Sequence, residues 1–306
     1  MPIVSVVIPN YNHAQYLRQR IDSILNQIYS DFELIIVDDC STDNSKEIIE
    51  SYRTNPKVSQ IIFNESNSGT PFQQWETGVD LAKGEWIWIA ESDDFAENDF
   101  LEKLILQAEI FSTAGLIYSH IRWVDTFGKE IYCQEFSGYV NFFIGKDFIK
   151  NHLLYSTTIF NVGSLIFRKD IFKKIDHTKY KRMQLCGDYF FFVLMSEYTD
   201  VVEISSILNN YRLHGENTSS QKTIEGINFT EGMQILNYIT QKYKIKSSKY
   251  SLHYARSWEK HAFSKIVNQK IMKSFFGNNK CVVFYYYLLR FYHRLKHQLY
   301  EKISII

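Results

Sequence analysis

The chain has 306 residues, of which 45% are hydrophobic and 16% aromatic, enough for a well-buried core in one large domain or one domain with an appendage. Its four cysteines (Cys40, Cys133, Cys186, Cys281) lie far apart with no CxxC pair, which excludes a disulfide framework or zinc ribbon and is expected of free thiols. The formal net charge is zero, yet residues 241–306 hold 14 Lys/Arg against 2 Asp/Glu, so a basic tail of +12 balances a remainder of −12.

The opening "MPIVSVVIPN" has no basic leader and no small-residue cleavage site, and no apolar run reaches the ~18–20 residues that span a bilayer. The expected location is therefore the cytoplasm. "IVSVVIP" (3–9) is a continuous β-branched run, as in a strand buried on both faces. Ala14, Leu17, Ile21, Ile24, Leu25 and Ile28 follow at helical spacing. "FELIIVDD" (32–39) is a second buried strand, and "STDNSKEIIESY" (41–52) reads as a helix capped by Ser41 or Thr42. "VSQIIF" (58–63) is a third strand, and 71–83 a helix closed by Gly84. "EWIWIA" (85–90) is a fourth strand, 97–111 a helix capped by Asn98 or Asp99, and "GLIYSH" (115–120) a fifth strand. Strand and helix alternate, which predicts a mostly parallel sheet with helices on both faces and ligands at the carboxyl ends of the strands. Beyond come "VGSLIFRKDIF" (162–172), a buried helix in "GDYFFFVLMSEY" (187–198), and a strand running into a polar loop in "ILNNYRLHGENTSS" (207–220). From 221 the pattern is all-helical, with a boundary near 220 set by composition.

Three stretches on the predicted rim could carry chemistry. In "ESDD" (91–94) the acids could stabilise a helix start by ~0.3–1 kcal/mol. Placed in the loop itself, they could instead hold Mg²⁺ or Mn²⁺ with substrate phosphates. Asp38 and Asp39 end the second strand, where a carboxylate could accept a base imide or a ribose hydroxyl. Tyr11, in "PNYNHAQYL", either stacks on a base or packs at the sheet edge. By residue type alone, Asp188 fits a cap of the helix that follows it and His214 a solvated loop residue.

Four separated motifs, "VSVVIPNYNHAQYLRQRIDSILNQIYSDFELIIVDDCSTDNS", "NSGTPFQQWETGVDLAKGEWIWIAESDD", "GDYFFF" and "YRLHGENTSS", in this order and spacing, resemble the family 2 glycosyltransferases over about residues 1–220. The resemblance implies a GT-A (Rossmann-like) fold and an inverting transfer from a nucleotide-sugar, UDP- or dTDP-linked, to a saccharide or lipid-linked saccharide. It implies Pro9, Tyr11, Asp38 and Asp39 at the base and ribose, Asp93 on a divalent metal (Mn or Mg), and Glu91 and Ser92 near the ribose and phosphates. It also implies Asp188 as the catalytic base and His214 near the diphosphate. The chain departs from the family in having Glu91 where the first Asp of a DxD motif stands. It has Trp75 and Glu76 where an Arg-Asn pair is common, and a lone Asp188 after Gly187 where many members have Glu. Loops at 125–160 and 205–220 would read the sugar and acceptor.

A Mg²⁺-dependent nucleotidyltransferase also uses acids at strand ends, but "PNYNHAQY" is not its Gly-rich, basic phosphate loop. A decayed nucleotide-sugar-binding protein is opposed by the retained Asp39, Asp93 and Asp188. In the tail, Phe284, Leu288, Phe291, Leu295 and Leu299 recur at helical spacing beside Arg290, Arg294 and His297. That helix either packs on the catalytic domain, mediates self-association, or lets 281–306 lie on an anionic membrane, where each Lys/Arg adds ~1 kcal/mol. No nucleic-acid recognition module is present.

Overall fold

The computed structural model describes residues 2–215, 226–260, 264–278 and 280–303, with side chains throughout except at 274–278 and 293–303. The first half follows the predicted alternation: β1 (Val4–Asn10), α1 (Ala14–Leu25), β2 (Phe32–Asp38), α2 (Ser45–Ser51), β3 (Val58–Phe63), α3 (Pro71–Leu81), β4 (Trp86–Ile89), β5 (Phe95–Ala96), α4 (Phe100–Ile110) and β6 (Ala114–Val124). Then come β7 (Glu130–Cys133), β8 (Val140–Phe143), α5 (Gly145–Phe148), β9 (Leu165–Arg168), α6 (Lys169–Phe172), α7 (Gly187–Ser196) and β10 (Asp200–Arg212). All seven residues of β1 and of β2 are buried. The reason is that both faces of the sheet are covered. Val4, Val6 and Ile8 join Leu17, Ile21 and Ile24 of α1 and Phe100, Leu101 and Leu104 of α4 in one core. Val7 points the other way, where Gly78 of α3 meets it so closely that an added Cβ would lie 2.2 Å from its Cγ1. Each such buried aliphatic side chain contributes ~1.5–3 kcal/mol relative to exposure.

The sheet is mixed, in the order β3-β2-β1-β4-β9-β6-β10-β5, with β7 on β6 and β8 on β10. β1, β2, β3 and β4 pair in parallel, as the alternation predicts, and so do β6 and β10. β9 separates these two parallel groups by running antiparallel to both β4 and β6. The two-residue β5 is too short to leave a sequence signal, and β10 is longer than its predicted segment because register shifts near Ile204 and Ile207 break its alternation.

Two capping expectations are corrected. Helix α2 begins at Ser45, not near 41, with Asn44 at its N-cap, because Ser41 and Thr42 are drawn into the turns described below. Gly84 is not a C-cap. Helix α3 ends at Leu81 with extended Ala82, and Gly84 instead lies against β1, where a Cβ would come 2.6 Å from Ser5 N. At α4 the N-cap is Asp99, which makes no capping hydrogen bond and pairs with Lys103 at 2.6 Å.

Backbone contacts divide the chain into two compact units, one of residues 1–148, 158–182 and 187–216, the other of 149–157, 183–186 and 217–306. The second contains α8 (Ile227–Tyr243), α9 (Ser251–Lys260), α10 (Lys265–Asn278) and α11 (Lys280–Ile303). Trp258 of α9 stacks on Tyr286 of α11 with ring centroids 3.8 Å apart. Glu231 of α8 is 7% exposed and accepts three backbone N–H groups, from Gln184 (2.6 Å), Leu185 (2.9 Å) and Cys186 (2.8 Å). Helix α11 buries Val282, Val283 and Tyr286, whereas Phe284, Leu288 and Phe291 of the predicted apolar stripe are 49–64% exposed. The side chains of Arg294, Leu295, His297 and Leu299 lie outside the described residues. No helix among the described residues is long and apolar enough to cross a membrane, and all four cysteines are free.

Candidate active site

Because β1, β2 and β4 are parallel neighbours, the loops that leave their carboxyl ends meet on one rim. The turns after β1 and β2 each carry a non-glycine residue in the left-handed region, Asn12 (φ 56) and Cys40 (φ 63). They are tied together: Asn12 N donates to Ser41 Oγ at 2.9 Å, and Asn12 Oδ1 accepts from Thr42 N at 2.7 Å. Asp38 is 2% exposed, and its carboxylate accepts from Asn10 Nδ2 (2.7 Å), Ser41 N (2.9 Å) and Ser41 Oγ (2.6 Å). It therefore braces the two turns from within. Asp39 accepts from Asn64 Nδ2 at 2.7 Å and from the amide and hydroxyl of Ser68 at 2.9–3.1 Å. Pro9 sits inside β1 opposite Val37, and Tyr11 projects from the rim, 45% exposed.

The acids after β4 point in different directions. The side-chain amide of Asn161 donates to Glu91 Oε2 at 2.6 Å and to Asp94 Oδ2 at 3.0 Å. Asp94 Oδ1 also accepts the backbone N–H of Arg212 at 2.9 Å. Beneath them Arg20 is fully buried, its Nε on Glu91 O at 2.8 Å and its guanidinium 5.2 Å from the Trp88 ring. Burial lowers that guanidinium to about 10, against the pull of Asp94, Glu91 and Asp93. Burial, with the charges of Asp94, Asp93 and Asp188, pushes Glu91 well above the carboxylate range, and burial with Asp93 pushes Asp94 up to about 7. For Asp93 burial works upward too, but the hydrogen bond from His214 and the charges of His13 and His214 outweigh it, so its pKa is lowered. Of the three acids, Glu91 and Asp94 are pushed toward the protonated form and Asp93 toward the ionised one.

Asp93 Oδ2 lies 3.0 Å from His214 Nε2, just beyond β10, and His13 Nδ1 lies 2.8 Å from Ser92 Oγ. One ligating atom from each of His13, Asp93 and His214 lies within 4.8 Å of the others, the single such group among the described residues. Two imidazoles and a carboxylate suit a divalent ion, so the donor chemistry here fits the expected metal. Arg212, 1% exposed, locks the loop from behind: Nε donates to Asp93 O (2.8 Å), Nη1 to Asp125 O (3.1 Å) and Thr126 O (2.9 Å), and Nη2 to Gln19 Oε1 (2.7 Å).

Asp188 is the second residue of α7, inside the helix and not its cap, and Tyr189 N donates to its Oδ1 at 2.7 Å. Gly187 precedes it because a Cβ there would meet the Phe72 ring at 2.2 Å. The charge of Asp188 acts on Glu91, so α7 brings it to the same acidic rim. Glu76, at the family's Arg-Asn position, pairs with Lys181 and with His177 Nδ1 at 3.3 Å, while Trp75 is buried at 1% exposure.

The structure thus gathers Glu91, Ser92, Asp93, Asp188 and His214, with Pro9 and Asp38 at the ends of the neighbouring strands β1 and β2 and Tyr11 and Asp39 just beyond them. Sequence reasoning passed over His13, Arg20, Asn161 and Arg212. His13 follows Tyr11 by two residues in "PNYNHAQYL", where a lone histidine in a polar turn carries no ligand signal of its own. Arg20 falls three residues after Leu17 on the apolar stripe of α1, a placement that signals a buried cation. Asn161 carries no local signal.

Comparison with known proteins agrees. The family model described as Glycosyl transferase family 2 matches residues 5–176, more than half of the chain. The chain is 31% identical over 223 residues to a hyaluronan synthase of Pasteurella multocida, covering 72% of this chain and 22% of that protein. It is 38% identical over 107 residues to the glycosyltransferase GlyG of Streptococcus pneumoniae, 35% of each chain. The chain spans about half or less of the length of these curated relatives. In fold it is similar to the crystal structure of Staphylococcus aureus TarS 1–349 in complex with UDP-GlcNAc, with a TM-score of 0.63 at 19% identity over 96% of this chain and 92% of that one. The fold expected from sequence, the ordered motifs and the match over residues 5–176 lead to one assignment: the chain belongs to glycosyl transferase family 2.

Proposed function

We propose that this protein transfers a sugar, with inversion, from a nucleoside-diphosphate sugar to a hydroxyl of a saccharide or lipid-linked saccharide during cell-surface polysaccharide synthesis. The observation that carries the reading is the division of labour on the rim, where an ionised Asp93 faces His214 while Asp188 lies close enough to act on Glu91. The names of the relatives, which include synthases of polysaccharides and a TarS solved with UDP-GlcNAc, support a UDP-linked donor, with a dTDP-linked one as the other expectation. Residues 1–220 would form the nucleotide-sugar-binding and catalytic region and 221–306 the helical, basic region.

The residues can do the following. Tyr11, exposed beside Pro9, offers a face to the base, and Asp39, held by Asn64 and Ser68, presents an acceptor to base or ribose. Glu91 and Ser92 lie toward the ribose and phosphates, and His214 toward the diphosphate. Bound on Asp93, Mn²⁺ or Mg²⁺ supplies Lewis-acid neutralisation of the departing diphosphate. Asp188 takes the proton of the acceptor hydroxyl as that oxygen attacks the anomeric carbon from the face opposite the diphosphate, which requires a reach of ~2.6–3.2 Å in the complex. One displacement inverts the centre through an oxocarbenium-like transition state.

Release of UDP or dTDP from the corresponding sugars with Mn²⁺ or Mg²⁺ tests this. Asp93→Ala and Asp188→Asn should each reduce release by ~10²-fold or more, and unchanged release would sink the reading. The exposed Phe284, Leu288 and Phe291 on a basic helix favour attachment to the inner face of an anionic cytoplasmic membrane over self-association. Replacing these three by serine spares the buried Val283 and Tyr286 and should abolish sedimentation with phosphatidylserine vesicles, and retained sedimentation refutes attachment.

A further inference from the structure

We infer that the chain holds its divalent ion without the nucleotide, through His13, Asp93 and His214 together, and that this donor set selects a transition ion over Mg²⁺. This rests on the proposed reading of Asp93 as the ion's ligand and extends it to two imidazoles from other segments. A site with a single carboxylate depends on substrate phosphates and water to complete the shell, which is how Mg²⁺ is usually held. Here three side chains converge from the loops after β1, β4 and β10, with all three ligating atoms within 4.8 Å of one another.

The spacing of the closest pair fits coordination. Two ligands each ~2.1 Å from one ion and at right angles to each other lie ~3.0 Å apart. His214 Nε2 and Asp93 Oδ2 are 3.0 Å apart, so an ion can take the place of the contact between them with little movement. His13 is held at the rim, since Ser92 Oγ, 2% exposed, lies 2.8 Å from its Nδ1. Ligating histidines are commonly fixed by a hydrogen bond to one ring nitrogen while the other binds metal. Ser92 is thereby a positioning residue for His13. The three rings of His13, Tyr16 and His214 also pack against one another at centroid distances of 5.2–6.3 Å, which holds both imidazoles at the rim. Asp93 cannot drift from them, because Arg212 Nε is bonded to its carbonyl oxygen at 2.8 Å.

The donor types then decide the ion. Imidazole nitrogen suits borderline transition ions, whereas Mg²⁺ seeks hard oxygens and gives up water reluctantly. Among divalent ions the affinity should run Co²⁺ over Mn²⁺ over Mg²⁺. A shell filled only in part by protein leaves positions for diphosphate oxygens, so an ion already in place would receive the donor.

The test uses the full chain free of nucleotide. Mn²⁺ is titrated by loss of the free-ion electron paramagnetic resonance signal, Co²⁺ by visible absorption, and Mg²⁺ is added as competitor. One equivalent of Mn²⁺ and of Co²⁺ should bind, and Mg²⁺ should displace them only at ~100-fold excess or more. His13→Ala and His13→Gln, each checked by circular dichroism, should weaken Mn²⁺ by at least ~10-fold, and Asp93→Ala should abolish binding. If both His13 variants bind Mn²⁺ like the wild type while Asp93→Ala does not, the role of His13 is refuted and that of Asp93 stands. Binding by the wild type only in the presence of UDP also overturns the inference and leaves Asp93 as ligand. No binding with or without UDP overturns both.

Discussion

Arg212 offers a direct measure of what holds the rim together. Among the described residues its guanidinium makes four hydrogen bonds to neutral acceptors, three of them main-chain carbonyls of Asp93, Asp125 and Thr126 and one the amide oxygen of Gln19. It also lies 4.6 Å from the Tyr16 ring and 5.4 Å from that of Phe95. At ~1.5–3 kcal/mol for each bond to a charged group, the gross interaction is ~6–12 kcal/mol. Most of that offsets the cost of keeping the cation out of water, several kcal/mol per ion. Truncation relieves this cost but strands four acceptors and opens a cavity, so Arg212→Ala should destabilise by ~3–5 kcal/mol net. Arg212→Lys should recover little of it, since one ammonium cannot reach acceptors spread around a planar fork.

Urea unfolding followed by circular dichroism measures the loss directly, and a thermal scan should show Tm lower by roughly 6–20 °C. Arg122 is the control. Its side chain is 31% exposed and pairs with Glu97 at 3.1 Å and Glu130 at 2.8 Å, so Arg122→Ala should cost only ~0.5–1 kcal/mol. If the two variants lose equal stability, the argument that Arg212 is a buried clamp is refuted. A second readout is Mn²⁺ affinity, which should fall in Arg212→Ala because the carbonyl of Asp93 loses its tether.

Two further outcomes are expected. Glu231→Ala removes the acceptor for the N–H groups of 184–186 and should cost ~2–4 kcal/mol, with faster hydrogen exchange at those three amides, and unaltered exchange there would contradict the assignment. The His120–Glu203 pair should stabilise most near pH 5.5. The hydrogen bond from His120, with those from Asn141 and Tyr118, holds Glu203 at about 2, and the same bond to Glu203 raises His120. A depressed acid adds stability above its unfolded value of about 4.3, and that stability is lost as pH falls toward about 2. A raised histidine adds stability below about 6.5, and that stability fades as pH rises through its folded value. Glu203→Gln should therefore lower Tm more at pH 5.5 than at pH 8, and an equal loss at both would refute the pairing.

The first 120 residues were legible because buried parallel strands and stripe-bearing helices write themselves as runs and periods. Those strands also fix where their loops emerge, which is why Asp38, Asp39 and Asp93 could be placed on one rim from sequence. Ser41 shows the limit. As a residue type it fits a helix cap, but its hydroxyl donates to Asp38 three residues back and accepts from Asn12 N of the neighbouring turn, a contact that β1–β2 pairing sets. Gly84 shows the same: what fixes it is the approach of Ser5, not a helix end. Arg20, Asn161 and Arg212 serve partners up to 193 positions away, as with Arg212 and Gln19, and no local pattern encodes such a distance.

The electrostatics of the rim account for why its acids are not equivalent. Glu91 feels the charges of Asp93, Asp94 and Asp188, and Asp94 that of Asp93, with two buried guanidiniums, Arg20 and Arg212, beside them. Where acids crowd in a poorly hydrated site, uptake of a proton or of a cation relieves their repulsion. Glu91 and Asp94 take the first course. They share the amide of Asn161, lie over Arg20 and have their pKa values raised. Asp93 is turned away from that amide toward two imidazoles, its pKa is lowered, and Arg212 fixes its main chain. Asp93 is also the carboxylate that shares a rim with two imidazoles, His13 and His214, whose ligating atoms lie within 4.8 Å of its own, a donor set that suits a divalent ion once the rings are neutral.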